Sequence, residues 1–99
     1  MENLKDRTAA EKYLDRALVK AEPGAFLHAL KQVINASGGM VELSKKTGID
    51  RAGLYKMLTE HKNPTYRNLR MILRALGFRL KIEKLALKQS EKRGGKSDL

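Results

Sequence analysis

Apolar residues recur at helical spacing through most of this chain. Thr8 and Glu11 have capping-box spacing, and the apolar positions behind them predict a first helix from about Ala9 to Lys20. Pro23 suits the first turn of a second helix, which the Ser-Gly-Gly run at 37–39 ends. We expect this second helix to be the spine of the core, through Phe26, Leu27, Leu30, Val33 and Ile34.

Three more helices are predicted in the middle of the chain. The third runs from about Met40 to Thr47 and stops at Gly48, and the fourth starts after Asp50, a good N-cap. Thr65 can cap the fifth, which ends at Gly77. The residues expected to point inward are Leu54, Met57 and Leu58 on the fourth helix and Leu69, Ile72, Leu73 and Leu76 on the fifth.

After Gly77 the hydrophobic period changes from helical spacing to two, which describes a half-buried strand. Its apolar residues Phe78, Leu80 and Ile82 alternate with Arg79, Lys81 and Glu83. No other segment alternates in this way, so we predict that the strand pairs with its copy in a two-fold dimer. The alternative is a frayed helical extension. The expected fold is therefore all-α, with five helices and a short C-terminal β-strand.

The segment 40–58 fits a DNA-reading helix-turn-helix. That motif needs a small residue where its helices approach, here Ser44, and a turn residue that tolerates positive φ, here Gly48. Alanine is more usual at the position of Ser44. The apolar positions are supplied by Leu43, Ile49, Leu54 and Met57. An ordinary helical hairpin is the alternative interpretation.

The outward face of the fourth helix follows from spacing and carries the candidates for base contacts: Arg51, Ala52, Tyr55, Lys56 and Thr59. Arg51 can present two donors to guanine, Ala52 can meet a thymine methyl, and Lys56 can reach guanine or phosphate. Each of them can instead be a phosphate contact or a solvated side chain. Gly53 costs about 1 kcal/mol of helix propensity relative to alanine, which we interpret as admitting close approach to DNA.

A phosphate clamp is predicted at the start of the fifth helix, where free backbone N–H groups and the positive end of the helix dipole favour anions. Thr65 has the alternative role of helix cap. The candidate residues of this clamp are Asn63, Thr65, Tyr66, Arg67 and Asn68.

The charge distribution supports a polyanionic partner. The formal net charge is +10, and of this residues 1–39 contribute +1, residues 40–76 contribute +5 and residues 77–99 contribute +4. We divide the chain into an N-terminal extension (1–8), a helix-turn-helix domain with its strand (9–85) and a basic disordered tail (86–99).

Several classes of function are not expected. The chain has no cysteine, no apolar run near the roughly 20 residues of a membrane span, and no secretory signal, so we expect a cytoplasmic protein. His28 and His61 lack further ligands at metal-site spacing. The four serines lack a nucleophile-elbow context. We expect no enzymatic activity, no cofactor and no metal.

The run from residue 38 to residue 83, GGMVELSKKTGIDRAGLYKMLTEHKNPTYRNLRMILRALGFRLKIE, resembles the phage-repressor-like (Cro/Xre-like) domain of HigA-type antitoxins, the addiction module antidote proteins. Upstream, LDRALVKAEPGAFLHALKQV is similar to the leading helices of that family. The resemblance spans residues 12–83. The residues that it carries over are Arg51, Tyr55 and Lys56 on the recognition helix and Asn63, Thr65 and Tyr66 in the following loop.

This resemblance implies a protein that neutralises a RelE/ParE-like toxin and, as a homodimer, represses its own operon by binding double-stranded operator DNA. We place the toxin-binding surface on the N-terminal helices, around residues 13–27. Two alternatives stay open from the sequence. One is a stand-alone phage-type repressor without a toxin, and the other is a protein-binding module that has lost DNA binding.

Overall fold

A computed structural model describes residues 3–20, 22, 24–59 and 63–86 of the chain. These residues form five helices, which confirms the predicted number and order. No helix among them is both long and apolar enough to cross a membrane. The helices are α1 (Arg7–Val19), α2 (Ala25–Ala36), α3 (Gly39–Thr47), α4 (Arg51–Thr59) and α5 (Tyr66–Leu76).

Helix α1 begins earlier than predicted, because Asp6 caps it. The Asp6 carboxylate accepts a hydrogen bond from the backbone N–H of Thr8 at 3.0 Å. An aspartate at this position satisfies one of the free N–H groups of the first turn, so the helix starts at Arg7. Thr8 therefore lies inside the first turn, and the predicted capping box of Thr8 and Glu11 is wrong.

Helix α2 is the centre of the fold, as its apolar stripe predicts. It packs against α1, α3 and α4. Its described part begins at Ala25, with Gly24 in front; the predicted role of Pro23 lies outside the described residues. Phe26 and Leu27 are only half-buried, since they lie near the start of the helix at the edge of the core. The largest fully buried side chains of the domain are Leu30, Val33, Ile34, Leu54 and Ile72.

Helix α5 ends at Gly77, as predicted, in a Schellman motif. Gly77 has a φ of 95° and donates its N–H to the carbonyl of Arg74 at 3.0 Å. The next N–H, that of Phe78, donates to the carbonyl of Leu73 at 2.8 Å. Phe78 is thereby turned back onto the core, where it is half-buried. The motif fixes where the C-terminal segment leaves the helical body.

The two ends of the domain meet at Gly77. The Arg7 guanidinium donates a hydrogen bond from Nη2 to the carbonyl of Gly77 at 2.8 Å, joining residues 70 positions apart. A Cβ atom on Gly77 would lie 2.9 Å from that same nitrogen. Because Gly77 has no side chain, it can adopt the left-handed backbone conformation and it leaves room for the Arg7 guanidinium.

Gly77→Ala is expected to lower the free energy of unfolding by at least about 1–2 kcal/mol, the typical cost of a left-handed residue with a Cβ. Gly48→Ala is the matched control, because Gly48 also ends a helix at a φ of 81° but has open space where its Cβ would be. Urea denaturation of both variants measures the difference. Equal losses would mean that the contact with Arg7 contributes nothing.

The segment 78–86 has no regular secondary structure in the single chain. Residues 79–86 are exposed, and Ile82 retains 98% of its side-chain accessibility. Helix α5 does not continue into this segment. The alternative prediction of a frayed helical extension is therefore wrong for the described residues 78–86. A strand is defined by its partner, so the predicted strand and its pairing across a dimer stay predictions.

Candidate nucleic-acid interface

Helices α3 and α4 are joined by a turn of three residues, 48–50, as the sequence predicts. Gly48 adopts the expected left-handed conformation and donates its N–H to the carbonyl of Ser44 at 2.9 Å. The Ser44 hydroxyl in turn donates to the carbonyl of Ile49 at 2.7 Å. Ser44 is half-buried, so this hydrogen bond is shielded from competing water.

A second side chain reinforces the same turn. The Thr47 hydroxyl donates to the carbonyl of Leu43 at 2.9 Å and accepts from the N–H of Ile49 at 3.1 Å. Ser44 and Thr47 together bind both backbone polar groups of Ile49. The alanine that is more usual at position 44 has no hydroxyl for this purpose, so the departure from the common pattern adds a restraint on the angle between α3 and α4.

Helix α4 has one buried face and one exposed face. Leu54 and Leu58 are buried and Met57 is half-buried, which confirms the predicted inward side. The opposite side carries all five predicted base-contact candidates, and each of them is exposed: Arg51, Ala52, Tyr55, Lys56 and Thr59. The helix spans nine residues. With its side chains, an α-helix is about 10–12 Å across, so it fits a DNA major groove about 12 Å wide.

Thr59 differs from the other candidates because its hydroxyl is engaged within the helix. It donates a hydrogen bond to the carbonyl of Tyr55. With that proton committed, only the lone pairs of the oxygen face outward. Thr59 can therefore accept a hydrogen bond from a base amino group, but it cannot donate to a phosphate without breaking its bond to Tyr55.

Packing within the protein explains why residue 53 is a glycine. It is half-buried, away from the exposed face of α4. A Cβ atom there would lie 3.0 Å from Oδ1 of Asp50 and 3.3 Å from Cγ2 of Ile49. The interpretation that Gly53 admits close approach to DNA is thus replaced by a nearer cause, the tight packing of α4 against its own turn.

The start of α5 is capped by Thr65, as predicted. The Thr65 hydroxyl oxygen accepts from the N–H of Asn68 at 3.1 Å, and its carbonyl accepts from Leu69 at 2.9 Å. The backbone N–H groups of Tyr66 and Arg67 are the first of the helix and have no carbonyl one turn earlier in that helix. Capping leaves the hydroxyl proton of Thr65 available for a phosphate, so its two predicted roles are compatible.

The remaining clamp candidates differ in exposure. Asn63, Tyr66 and Arg67 are exposed, with 68% of the Tyr66 side chain accessible, whereas Asn68 is half-buried. Residues 60–62, between α4 and Asn63, lie outside the described part. The structure thus brings exposed donors and the N-terminus of α5 to one place.

Sequence reasoning missed a basic stripe on α5. Arg67, Arg70 and Arg74 are exposed and spaced three and four residues apart, which places them on one face of the helix. Arg67 was predicted as part of the phosphate clamp, but Arg70 and Arg74 were not, although their spacing from Arg67 is visible in the sequence. This face extends the positive surface from the N-terminus of α5 along its length.

A groove of about 800 Å³ lies on another part of the surface, between α1 and the segment 77–83. Its wall includes Leu18, which is 50% exposed, and Leu80, which is 37% exposed. Phe26 and Phe78 are half-buried in the same wall. Among the residues that the structure describes, no group of three or more His, Cys, Asp or Glu side chains could hold a metal ion; His61 lies outside them.

Fold and surface together define a small all-helical protein with a basic exposed helix face, and comparison with known proteins gives its family. The sequence matches the family model described as "Probable addiction module antidote protein" over residues 1–84. It is 28% identical over 82 residues to an "Uncharacterized protein" of Haemophilus influenzae, covering 83% of this chain and 84% of that protein. No solved structure matches.

This chain belongs to the addiction module antidote family. The family match, which includes residues 12–83, confirms the antitoxin part of the resemblance. An antidote of an addiction module has a toxin as its counterpart, so family membership implies a toxin partner.

Proposed function

We propose that this protein is a HigA-like antitoxin that neutralises a RelE/ParE-like toxin and represses its own operon through a Cro/Xre-like helix-turn-helix. Helix α4 enters the major groove, and the start of α5 binds the phosphate backbone. The protein acts in the cytoplasm as a homodimer and needs no cofactor or catalytic group. The toxin partner follows from the family; the class of toxin and the DNA are the proposal.

One observation carries the DNA-binding part of this proposal. Five residues of α4 chosen from the sequence as base contacts form one exposed face, opposite the buried Leu54 and Leu58. Arg51 and Lys56 on that face can donate to guanine or phosphate. The next helix along the chain, α5, adds an N-terminus that favours anions and the exposed side chains of Arg67, Arg70 and Arg74.

In a dimer, the exposed α4 face of each copy would contact one half-site of the operator. Two copies related by a two-fold axis would present two α4 helices to successive major grooves, about 34 Å apart. The operator should then be a partial palindrome.

The toxin-binding surface is proposed on α1 and the start of α2, around residues 13–27. Leu18 and Val19 at the end of α1 are 50% and 80% exposed, which is a high accessibility for adjacent aliphatic side chains. α1 packs against α2, whereas α4 packs against α2 and α3. A surface in this position would let one chain bind toxin and operator together.

Two rival functions give different results. A stand-alone repressor would bind the same DNA but have no toxin gene beside its own, a possibility that family membership disfavours. A protein-binding module that has lost DNA binding would show no preference for any duplex. The exposed cations of α4 favour the DNA-binding version.

The test is binding of the full chain to the DNA upstream of its own gene and to a scrambled duplex, titrated across salt. We expect a clear preference for the upstream DNA, with an affinity that falls steeply as salt rises, because each neutralised phosphate contributes a slope of about −0.9. Equal binding to both duplexes would mean that the net charge of +10 acts alone. Co-expression with the product of the adjacent reading frame tests the toxin separately, by co-purification.

A further inference from the structure

We propose that the segment 78–84 pairs with the same segment of a second copy in one antiparallel register, with the two-fold axis at Lys81. This proposal adds a pairing register to the homodimer of the proposed function, and it rests on that function. It assigns the residues that meet across the interface, which the alternating pattern alone leaves open. The occupant of this surface is therefore a second copy of this chain.

The exposure of the segment calls for a partner. Ile82 and Leu85 are 98% and 75% exposed, and Leu80 is 37% exposed. No backbone hydrogen bond joins residues 79–86 to another described residue. A stretch with unpaired backbone groups and exposed aliphatic side chains is a template for strand pairing.

Side-chain complementarity selects the register. In an antiparallel pair, directly opposed residues share a face of the sheet, so an axis at Lys81 places Leu80 opposite Ile82 of the second copy. On the other face, Arg79 then lies opposite Glu83 of the second copy, and the symmetry makes each of these pairs twice. Opposite charges and apolar pairs directly opposed both stabilise a sheet. The only like-charged pair is Lys81 with its own copy, at the solvated axis.

The neighbouring registers are less complementary. An axis at Leu80 opposes Arg79 to Lys81 of the second copy twice, which is repulsive. An axis at Ile82 keeps an acid–base pair, Lys81 with Glu83, and opposes Ile82 to its own copy, but it also opposes Leu80 to Lys84 and so places a charge opposite an aliphatic side chain twice. The axis at Lys81 instead opposes Leu80 to Ile82 twice and retains an acid–base pair at both symmetric positions.

The groove between α1 and the segment 77–83 explains what the second copy covers. Leu80 lines this groove beside Leu18. With the axis at Lys81, Ile82 of the second copy lies next to Leu80 and over the apolar part of the groove, formed by Leu18 and Phe26; charged side chains line the rest of it. Phe78, also in the wall, would oppose Lys84 of the second copy, and an ammonium over an aromatic ring is favourable. Pairing would thus cover Ile82, the most exposed aliphatic side chain of the segment.

Cysteine cross-linking tests the register directly, because the chain has no cysteine of its own. Each variant changes only the charged face: Lys81→Cys, Arg79→Cys and Glu83→Cys. Directly opposed residues have Cα atoms about 4.5–5.5 Å apart, within disulfide range, whereas residues displaced by two positions are about 8 Å apart and outside it. Cross-linking is read on non-reducing gels after mild oxidation of the full chain.

We expect Lys81→Cys to cross-link with itself, and an equal mixture of Arg79→Cys and Glu83→Cys to cross-link although neither does so alone. Cross-linking of an equal mixture of Arg79→Cys and Lys81→Cys, with neither variant cross-linking alone, would place the axis at Leu80 and overturn the proposal. The same result for a mixture of Lys81→Cys and Glu83→Cys, again with neither cross-linking alone, would place the axis at Ile82 and overturn it too. No cross-link in any combination would exclude the segment as the interface.

Charge reversal gives a second readout that needs no oxidation. Arg79→Glu opposes two like charges at both symmetric positions and should raise the dissociation constant of the dimer on the order of ten-fold, measured by sedimentation. Arg79→Glu combined with Glu83→Arg should restore it. A double variant as weak as the single one would overturn the register. Binding of the wild-type chain to its upstream DNA, measured on the same preparation, separates failure of the register from failure of the proposed function.

Discussion

Leu54→Ala is expected to lower the free energy of unfolding by about 2–5 kcal/mol, the range for truncating a fully buried leucine. Leu54 is 0% exposed and anchors α4 to the core, where α4 packs against α2 and α3. The loss combines the transfer energy of the removed methyl groups with the cavity that they leave. Urea denaturation followed by circular dichroism measures it.

Val41→Ala is the control, because it truncates an aliphatic side chain of α3 that is 48% exposed. We expect a loss of less than about 1 kcal/mol, since most surface substitutions change stability little. A loss of less than about 1 kcal/mol for Leu54→Ala as well would mean that α4 is not fixed to the core by this residue.

The helices were predictable because local signals and packing agree. Thr65 caps α5 and Gly77 ends it, as the sequence indicated. At α1 the sequence offers two N-cap candidates close together. The capping-box spacing of Thr8 and Glu11 favoured Thr8, whereas the observed N-cap is Asp6. Choosing between them requires the backbone conformation of residue 6, which the sequence does not state.

The contacts that were missed join residues distant in sequence or close in an unusual turn. The hydrogen bond from Arg7 to Gly77 spans 70 positions, and no periodic pattern encodes such a pair. Ser44 could be recognised as a small residue, but its bond to the carbonyl of Ile49 depends on the path of the turn. Gly53 was assigned to DNA although Asp50, three residues earlier, was already predicted as the N-cap; how little room a Cβ on Gly53 would have beside that carboxylate follows only from the structure.

The exposed face of α4 was predictable for a geometric reason. Once Leu54 and Leu58 are placed inward, the helical repeat fixes which residues face outward. Whether those residues read bases depends on the DNA, which neither the sequence nor the fold of one chain contains. The predicted strand at 78–83 could not be tested in one chain for a similar reason, because the proposed pairing requires a second molecule.

Lys56→Ala and Arg51→Ala are expected to weaken binding to the upstream DNA by about 1–3 kcal/mol each and to weaken binding to a scrambled duplex much less. Both side chains are exposed on α4 and carry donors that match guanine. Truncating a residue that reads a base weakens binding only to DNA that contains that base, whereas removing a phosphate contact weakens binding to every sequence.

Lys20→Ala is the matched control, because it removes one positive charge from an exposed position at the end of α1. It should leave the preference for the upstream DNA unchanged. Titration across salt separates the two roles further, since loss of one phosphate contact reduces the salt slope by about one. Equal losses on both duplexes for Arg51→Ala and Lys56→Ala would make these residues phosphate contacts and would move sequence reading to Ala52, Tyr55 or the start of α5.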